Sequence, residues 1–210
     1  MTRFLVSLYD DLLVYAGKVV QNSAQPILHE ATRVMLRRIT SEDEDEYIEL
    51  ARASVELHHP WIGIPETRAE FAKYLKSYEG NGSEIILICH RSSGAIAGFV
   101  TISEVIRGPY QRATVGYGVF APSARRGYMS EGFHLVFRFA FDDLGLHRLE
   151  ADIQPGNKAS LRLAQRVGFR YEGISPGFVR IGGVWKDHER WAITSDMVNR
   201  GHGKPRHSAG

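Results

Sequence analysis

The pattern of apolar and polar positions in the first half of the chain predicts helices and strands in alternation. Residues 33–39 (RVMLRRI) alternate apolar with basic side chains and predict a first strand. Ser41 is expected to cap a helix over SEDEDEYIELARASVELHH, whose acidic first turn suits the helix dipole. A second helix follows the break at HHPWIGIPET and presents Phe71, Tyr74 and Leu75. Three strand-like runs come next: EIILICH, GAIAGFVTISEV and ATVGYGVF, the first two joined as a hairpin at RSSG.

The second half of the chain continues this mixture. Apolar residues recur at helical spacing from Met129 to Leu144, and Gly145 stands where a C-terminal cap belongs. The strand HRLEADIQ is followed by a short helix that Asn157 caps and Gly168 ends. The last strands are FRYEGIS, PGFVRI and VWKDHERWAIT, with a hairpin turn at the two glycines 182 and 183. The predicted order is βααββββαβαββ, an α/β (α+β) fold in one domain.

The ends of the chain are predicted to lie outside this domain, which spans residues 33–197. Residues 1–32 predict an amphipathic helix and a loop, because Leu5, Leu8, Leu12, Ala16 and Val19 share one helical face. That helix would pack on its own domain or on a second copy of the chain, as in a homodimer. Residues 198–210 are expected to be disordered.

Composition narrows the class of protein. The 210 residues are 43% hydrophobic and 24% charged, as in ordinary globular proteins, and a net charge of +2 does not by itself indicate nucleic-acid binding. Cys89 is the only cysteine, so no internal disulfide can form, and a reducing, cytoplasmic location is the simplest interpretation. Cys89 lies in an apolar run and is expected to be a buried thiol. No apolar run reaches the roughly 18–20 residues of a membrane span.

A loop before the long helix, SARRGYMSEG at residues 123–132, is the candidate site for chemistry. A P-loop is absent, and the glycines of G-x-G-x-x-A at 116–121 lie inside a strand, which a dinucleotide fingerprint does not allow. Helix N-termini attract anions, Gly127 lets the backbone approach one, and arginine grips phosphate oxygens. The same residues equally suit a solvated basic turn, so the loop alone decides nothing.

The order of motifs from this loop onward resembles the GNAT superfamily of acyl-CoA N-acyltransferases. The motifs are RRGYM, then NKASLRLAQRVGFRYEG, then GGVWKDH, and within the superfamily they resemble the ribosomal-protein-alanine N-acetyltransferase branch over roughly residues 33–197. The resemblance implies a mostly antiparallel mixed sheet flanked by helices. It also implies direct acetyl transfer from acetyl-CoA to a primary amine in a ternary complex.

The coenzyme-binding residues are expected from the resemblance. The family loop [QR]-x-x-G-x-[GA] falls on residues 124–129, where the central glycine is kept and Met129 is acceptable in this branch, while Ala124 departs from the pattern and is expected to shift the phosphate-gripping role to the neighbouring arginines. The expected coenzyme contacts are Gly118, Val119, Phe120, Arg125, Arg126, Gly127, Tyr128, Met129, Ser130 and Asn157.

The catalytic residues expected from the resemblance are few. The backbone N–H of Val119 would hold the thioester oxygen. Ser160 would donate a hydrogen bond to the leaving thiolate, because the family's usual tyrosine position is Ala164 here. Glu104 is the carboxylate expected to hold a water as base, and a plain surface glutamate is the alternative. For Asn157, helix capping alone would also explain the residue.

The acceptor side is expected at two places. His59 and Trp61 lie between the first two helices, and Trp185 lies on the last hairpin with Asp187 and His188; core packing is the alternative for both. The two adjacent histidines lack further ligands, so no metal is expected.

The expected acceptor follows from the amine chemistry. An α-amino group, with a pKa of about 7.7–8.0, needs a weaker base than lysine, which favours a protein N-terminus. A small-molecule amine is the second candidate, and a non-catalytic coenzyme-A-binding module is the rival class. No membrane partner is expected, and nucleic acid only through a ribosomal substrate.

Overall fold

The computed structural model describes residues 14–15, 18–19, 26–80 and 82–200. Val14–Tyr15 (β1) and Lys18–Val19 (β2) pair antiparallel. The predicted N-terminal helix falls mostly outside the described residues, and where it is described the backbone is extended instead. The predicted tail beyond residue 200 also lies outside them. Within the described residues, every helix falls short of the length and apolar character that a membrane span requires.

One eight-stranded sheet organises the described residues, in the order β3-β4-β5-β6-β7-β8-β10-β9. All neighbours in it are antiparallel except β7 and β8. The strands are Ile27–Glu30 (β3), Val34–Arg38 (β4), Glu84–His90 (β5), Ile96–Ile106 (β6), Arg112–Val119 (β7), Arg148–Ile153 (β8), Arg170–Ile181 (β9) and Val184–Thr194 (β10).

Helices cover both faces of the sheet. They are Glu44–Arg52 (α1), Val55–His58 (α2), Arg68–Ser77 (α3), Tyr128–Arg138 (α4), Lys158–Arg166 (α5) and Ser195–Arg200 (α6). The predicted fold class is therefore confirmed.

The element order βααββββαβαββ needs four corrections. Three strands, β1 to β3, precede the first predicted one, and the described residues between α3 and α4 form three strands instead of four. The predicted first helix is split into α1 and α2, and α6 extends the ordered chain three residues past the predicted boundary at 197. The first cap is also displaced by one residue: Thr40, not Ser41, caps the turn, with Glu42 N donating to its Oγ1 at 3.3 Å.

The alternation of β5 between two faces divides the core in two. Ile86 and Ile88 pack towards α4, while Leu87 and Cys89 pack towards α1 and α3. Both faces are therefore apolar, which explains why EIILICH is a continuous apolar run and not an alternating one.

The parallel seam between β7 and β8 positions the site. The two strands pair only over Arg112–Thr114 and Arg148–Glu150, the pairs being 112 with 148, 113 with 149 and 114 with 150. β7 continues to Val119 and β8 to Ile153 without pairing to each other further. The sheet is thus open on one side of a short seam.

Candidate active site

A cavity of about 430 Å³ fills the opening between β7 and β8. Its lining comes from both strands and from the elements above and below them. The lining residues are 57, 58, 61 and 62 around α2, 101, 103 and 104 on β6, 114–119 on β7, Met129 on α4, 152–154 after the seam, 157, 159, 160 and 163 on α5, and Val179, Ile181 and His188 on the last hairpin.

The backbone of β7 presents a free N–H to this cavity. Phe120 N donates to Ala97 O at 3.0 Å, so that residue faces β6. In an antiparallel ladder such positions alternate, and Val119 and Tyr117 therefore direct their N–H and C=O groups away from β6, into the gap. This geometry is what an N–H group that holds a thioester oxygen requires.

Two histidines follow one another at the end of α2, and the structure separates their roles. His58 is only 6% exposed, lines the cavity, and its Nε2 lies 3.0 Å from Val119 O. Burial lowers the pKa of His58, although the bond to Val119 opposes the shift, so the ring is neutral and donates from Nε2. His59, the residue expected at the acceptor wall, is exposed and does not line the cavity.

The glycines in β7 are accounted for by packing within the protein. A Cβ on Gly118 would lie 2.6 Å from Phe99 Cζ and 3.3 Å from His58 Nε2. A Cβ on Gly116 would lie 2.7 Å from Thr101 Oγ1. Both positions exclude side chains before any ligand is considered.

The loop before α4 has the backbone shape of an anion cradle. Arg125 and Gly127 both have left-handed backbones, with φ of 61° and 82°. Gly127 occupies the N-cap of α4 and no side chain caps the helix, so its first N–H groups have no capping partner. Arg125 and Arg126 are exposed, and no carboxylate among the described residues forms an ion pair with either.

Arg33 braces this loop from outside the cavity. Its Nε donates to Glu131 Oε2 at 2.7 Å, its Nη1 to Arg126 O at 3.1 Å, and its guanidinium lies over the ring of Tyr128 at 5.0 Å. The loop is therefore fixed by a residue that the sequence analysis did not select.

The remaining expected coenzyme contacts divide between the cavity and the core. Met129 lines the cavity and packs closely on β6, since a Cβ on Gly98 would lie 2.6 Å from its Sδ. Ser130 is half-buried in the first turn of α4, beside the loop. Phe120 is fully buried in the core, and both its backbone groups are used, its N–H by Ala97 and its C=O by Ser123. It has no backbone group left for a ligand.

The start of α5 forms the opposite wall of the cavity. Asn157 caps the helix by accepting from Ser160 N at 3.2 Å. Tyr117 Oη donates to Ser160 O at 3.0 Å, and this bond links β7 to α5 across the cavity. Ser160 lines the cavity, whereas Ala164, at the family's tyrosine position, is buried in the core.

Two β-bulges bring titratable side chains to the far end of the cavity. Glu104 lies at a bulge of β6 with φ of 51°, where it accepts from Thr114 Oγ1 at 2.9 Å. His188 follows a bulge of β10, is buried, and lies 3.0 Å from Lys186 O through Nδ1. Asp152 of β8 lines the same end.

The tryptophans expected at the acceptor walls have different positions. Trp61 lines the cavity and packs on the loop before α5, since a Cβ on Gly156 would lie 2.9 Å from its ring. Trp185 is 63% exposed on the last hairpin and does not line the cavity, and Asp187 beside it closes the bulge by accepting from Gly177 N at 2.8 Å.

Three titratable residues of the lining were not among the selected ones: His58, Tyr117 and Asp152. For His58 a signal existed, because Tyr47, Ala51, Ser54 and His58 recur at helical spacing and all are buried. This periodicity indicates that His58, and not His59, lies on the buried face of the helix. Tyr117 and Asp152 are brought into the cavity by strand pairing, which local patterns do not reveal.

Two other kinds of group are relevant to the chemistry, the Cys89 thiol and side chains that could bind a metal ion. Cys89 is buried, as expected, and burial raises the pKa of its thiol to about 12, which makes it a poor nucleophile. Within the described ranges, no group of three His, Cys, Asp or Glu side chains could hold a metal ion.

Comparison with known proteins identifies the family. Residues 33–170 match the family model described as acetyltransferase (GNAT) domain. The chain is 36% identical over 126 residues to the probable N-acetyltransferase YjcK of Bacillus subtilis, covering 60% of this chain and 70% of that protein. It is 32% identical over 100 residues to the ribosomal protein uS5-alanine N-acetyltransferase of Escherichia coli, covering 48% of this chain and about half, 52%, of that relative.

A solved structure supports the fold. The spermidine N-acetyltransferase from Vibrio cholerae in complex with CoA and spermine superposes with a TM-score of 0.67 at 17% identity, covering 79% of this chain and 98% of that chain. The family model spans well over half of the 210 residues. The chain therefore belongs to the GNAT family of acetyl-CoA-dependent N-acetyltransferases.

Proposed function

We propose that the chain acetylates the N-terminal α-amino group of a protein, by direct attack of the amine on acetyl-CoA in a ternary complex. The observation that carries this proposal is the opening between β7 and β8, where Val119 N–H faces the cavity beside a helix without a side-chain cap. The likeness to the uS5-alanine enzyme supports the choice of acceptor.

The residues present fit acetyl-CoA as the co-substrate. The N–H groups at the start of α4, with Arg125, Arg126 and Gly127, suit the pyrophosphate, since a helix N-terminus and free guanidinium groups both attract anions. Gly118, Val119 and Met129 line the gap for the pantetheine arm, and Tyr128, Ser130 and Asn157 border it at the two helix starts. Phe120 acts there only by holding β7 in place.

Different residues would stabilise the thioester oxygen and the leaving sulfur during acyl transfer. Val119 N–H would donate to the thioester oxygen as negative charge develops on it. Ser160 would donate a hydrogen bond to the leaving sulfur, and its position at the start of α5 adds the favourable helix dipole. Cys89 takes no part, because it is buried away from the cavity.

The acceptor is proposed from the lining at the far end of the cavity. Glu104 and Asp152 supply negative charge where an ammonium group would enter, and Trp61 supplies an apolar wall. His59 and Trp185 are exposed, so they would contact only a large acceptor such as a protein. A small-molecule amine is the second candidate, and the fold likeness to the spermidine enzyme favours it.

The setting of the reaction is part of the same proposal. A cytoplasmic location suits the single unpaired cysteine. Contact with nucleic acid would arise only through a ribosomal acceptor, and a homodimer formed through residues 1–32 stays a prediction.

Calorimetric titration of the full chain with acetyl-CoA tests the coenzyme site. Gly127→Glu should abolish micromolar binding, because it places a carboxylate against the helix N-terminus and the two arginines. Gly145→Glu is the matched control, since Gly145 also has a left-handed backbone, with φ of 64°, and open space around it, and it lies well beyond the C-terminal end of α4. Absence of binding by the parent chain, or equal loss in both variants, contradicts the proposal.

Release of the CoA thiol tests the acceptor, with a hexapeptide that has a free N-terminal alanine, the same peptide acetylated, and spermidine. Turnover with the free peptide alone supports the proposal, and turnover with spermidine alone selects the small-amine candidate. Binding without turnover on any amine selects the non-catalytic module.

Ser160→Ala should retain acetyl-CoA affinity and lose kcat by about 10- to 100-fold, the value of a hydrogen bond to a charged group.

A further inference from the structure

A second carboxylate, Asp152, lies in the cavity where the sequence analysis expected only Glu104. Asp152 lies two residues beyond Glu150, the last residue of β8 that pairs with β7. It pairs instead with Arg190 of β10, on the closed side of the strand. Its side chain is 15% exposed and lines the cavity. The residue is therefore mostly enclosed by protein while open to the space that an acceptor would fill.

Glu104 has the opposite character. Its side chain is exposed at the mouth of the cavity, and Thr114 Oγ1 holds its Oε2 at 2.9 Å. A carboxylate at the mouth is the first negative charge that an incoming cation meets. Its position suits attraction of a cation better than removal of a proton.

The charged groups around Asp152 come from three strands. Arg190 Nε lies 2.7 Å from Asp152 Oδ1, and that oxygen is buried without a well-aligned hydrogen bond. Glu150 lies on the same strand, His188 on β10 and Glu104 on β6. Burial raises the pKa of Asp152; Arg190 and His188 oppose this rise, whereas Glu150 and Glu104 add to it. Such a carboxylate is a stronger base than one in water.

We propose that Asp152 takes the proton of the acceptor ammonium, directly or through one water, and that Glu104 holds that ammonium at the mouth of the cavity. This assignment rests on the proposed function. Both carboxylates line one cavity, with the exposed Glu104 outside and the enclosed Asp152 inside, and a cationic amine would meet them in that order. The acceptor class is thereby a primary ammonium.

The reaction moves the acetyl group from sulfur to nitrogen and releases one proton to solvent. The acceptor R–NH3⁺ gives one proton to the Asp152 carboxylate and becomes R–NH2. The amine nitrogen bonds to the acetyl carbon, the C–S bond breaks, and its electron pair goes to sulfur. The nitrogen then loses a second proton to solvent, the thiolate takes up one proton from solvent, and the products are R–NH–CO–CH3 and the CoA thiol. Asp152 returns its proton to solvent.

Asp152→Asn, with saturating acetyl-CoA and the alanine hexapeptide, tests the assignment. We expect kcat at pH 7 to fall by about 100-fold or more, with the acid limb of its pH profile lost and acetyl-CoA affinity retained. Glu104→Gln should raise KM for the peptide more than it lowers kcat. Asp143→Asn is the matched control, because Asp143 is a carboxylate outside the cavity lining, paired with His29. A kcat for Asp152→Asn within about threefold of the parent overturns the proposal.

Arg190→Gln separates a base from a merely structural carboxylate. Removal of this cation takes away the main group that lowers the pKa of Asp152, so the acid limb of kcat should move to higher pH. A structural role would change kcat without moving the limb, and an unmoved limb overturns the assignment even where Asp152→Asn folds poorly. A parent chain that binds acetyl-CoA and acetylates no amine overturns the proposed function as well, which distinguishes the two failures.

Discussion

At the scale of single residues, His58 connects the folding of the site to its chemistry. Its Nε2–H holds Val119 O, which fixes the end of β7 next to the N–H proposed for the thioester oxygen. Nδ1 is buried and has no hydrogen-bond partner among the described residues. A buried imidazole with one bond is stable only while neutral, because protonation would place an unpaired charge in a nearly dry site.

Stability should therefore fall in mild acid, and His58 should cause part of the fall. Burial lowers the pKa of folded His58 below the ordinary value of about 6.5. Below about pH 6.5 the unfolded chain binds a proton that the folded chain does not, so the free energy of unfolding decreases as pH falls through this window. His58→Gln keeps an amide donor for Val119 O and does not titrate.

Urea unfolding at pH 8 and pH 5 measures the effect. At pH 8 the variant should be less stable by about 1–2 kcal/mol, the cost of an imperfect buried hydrogen bond, and this difference should narrow at pH 5. His59→Gln serves as control because that neighbouring side chain is exposed. Parallel pH curves for the parent and His58→Gln would contradict the account.

The residues also show where sequence patterns succeed. Asn157 caps α5 and Gly168, with a left-handed backbone, follows its end as predicted, because capping depends on a few adjacent residues. Asp152 is different. In HRLEADIQ it resembles any polar strand residue, and only the divergence of β7 and β8 places it in a cavity. The sequence pattern therefore led to Glu104 and gave no reason to consider Asp152.

At the scale of elements, a single hydrogen bond connects the two walls of the cavity. Tyr117 of β7 donates to Ser160 O of α5 at 3.0 Å, while its ring packs edge-on against Phe133 at 5.1 Å. The bond fixes the first turn of α5, which carries Ser160 and its cap Asn157. Tyr117 is thus a positioning residue for Ser160.

Tyr117→Phe removes this bond and retains the ring. We expect a loss of about 0.5–1.5 kcal/mol in stability and a fall in kcat that exceeds any change in acetyl-CoA affinity, because Ser160 would be held less firmly. Tyr110→Phe is the matched control, since Tyr110 is 67% exposed. Steady-state kinetics measures the change in kcat, and calorimetry measures the change in acetyl-CoA affinity. An unchanged kcat, or equal losses in affinity and kcat, would argue against a positioning role.

Elements also differ in how far they follow from sequence. The hairpin of β5 and β6 and the amphipathic α4 are local, so their periodicity and turn residues predicted them. The bulges at Glu104 and before His188 are not local, because a bulge is a mismatch in residue number between two paired strands. The split between α1 and α2 was missed because Ala53 and Ser54 carry no helix-breaking signal.

At the scale of the whole molecule, the sheet consists of two parts joined by a short seam. β3 to β7 form one run of antiparallel pairs and β8, β10 and β9 another, with only three parallel residue pairs between them. The cavity occupies the space that further pairing would have filled. A ligand seated there would replace the missing ladder, as an added strand does.

Amide hydrogen exchange by NMR, with and without acetyl-CoA, tests this view along β7. Tyr117 and Val119 direct their N–H groups into the gap, and Gly118 between them directs its own towards β6. We expect Tyr117 and Val119 to exchange fast in the free protein and to slow by at least about tenfold with acetyl-CoA, whereas Gly118 is protected in both states. The alternation is its own control, because global stabilisation by a ligand would slow all three amides together. Equal slowing of all three amides would mean that acetyl-CoA does not lie along β7. The same conclusion would follow if acetyl-CoA slowed none of these amides in the parent chain, as expected for Gly127→Glu.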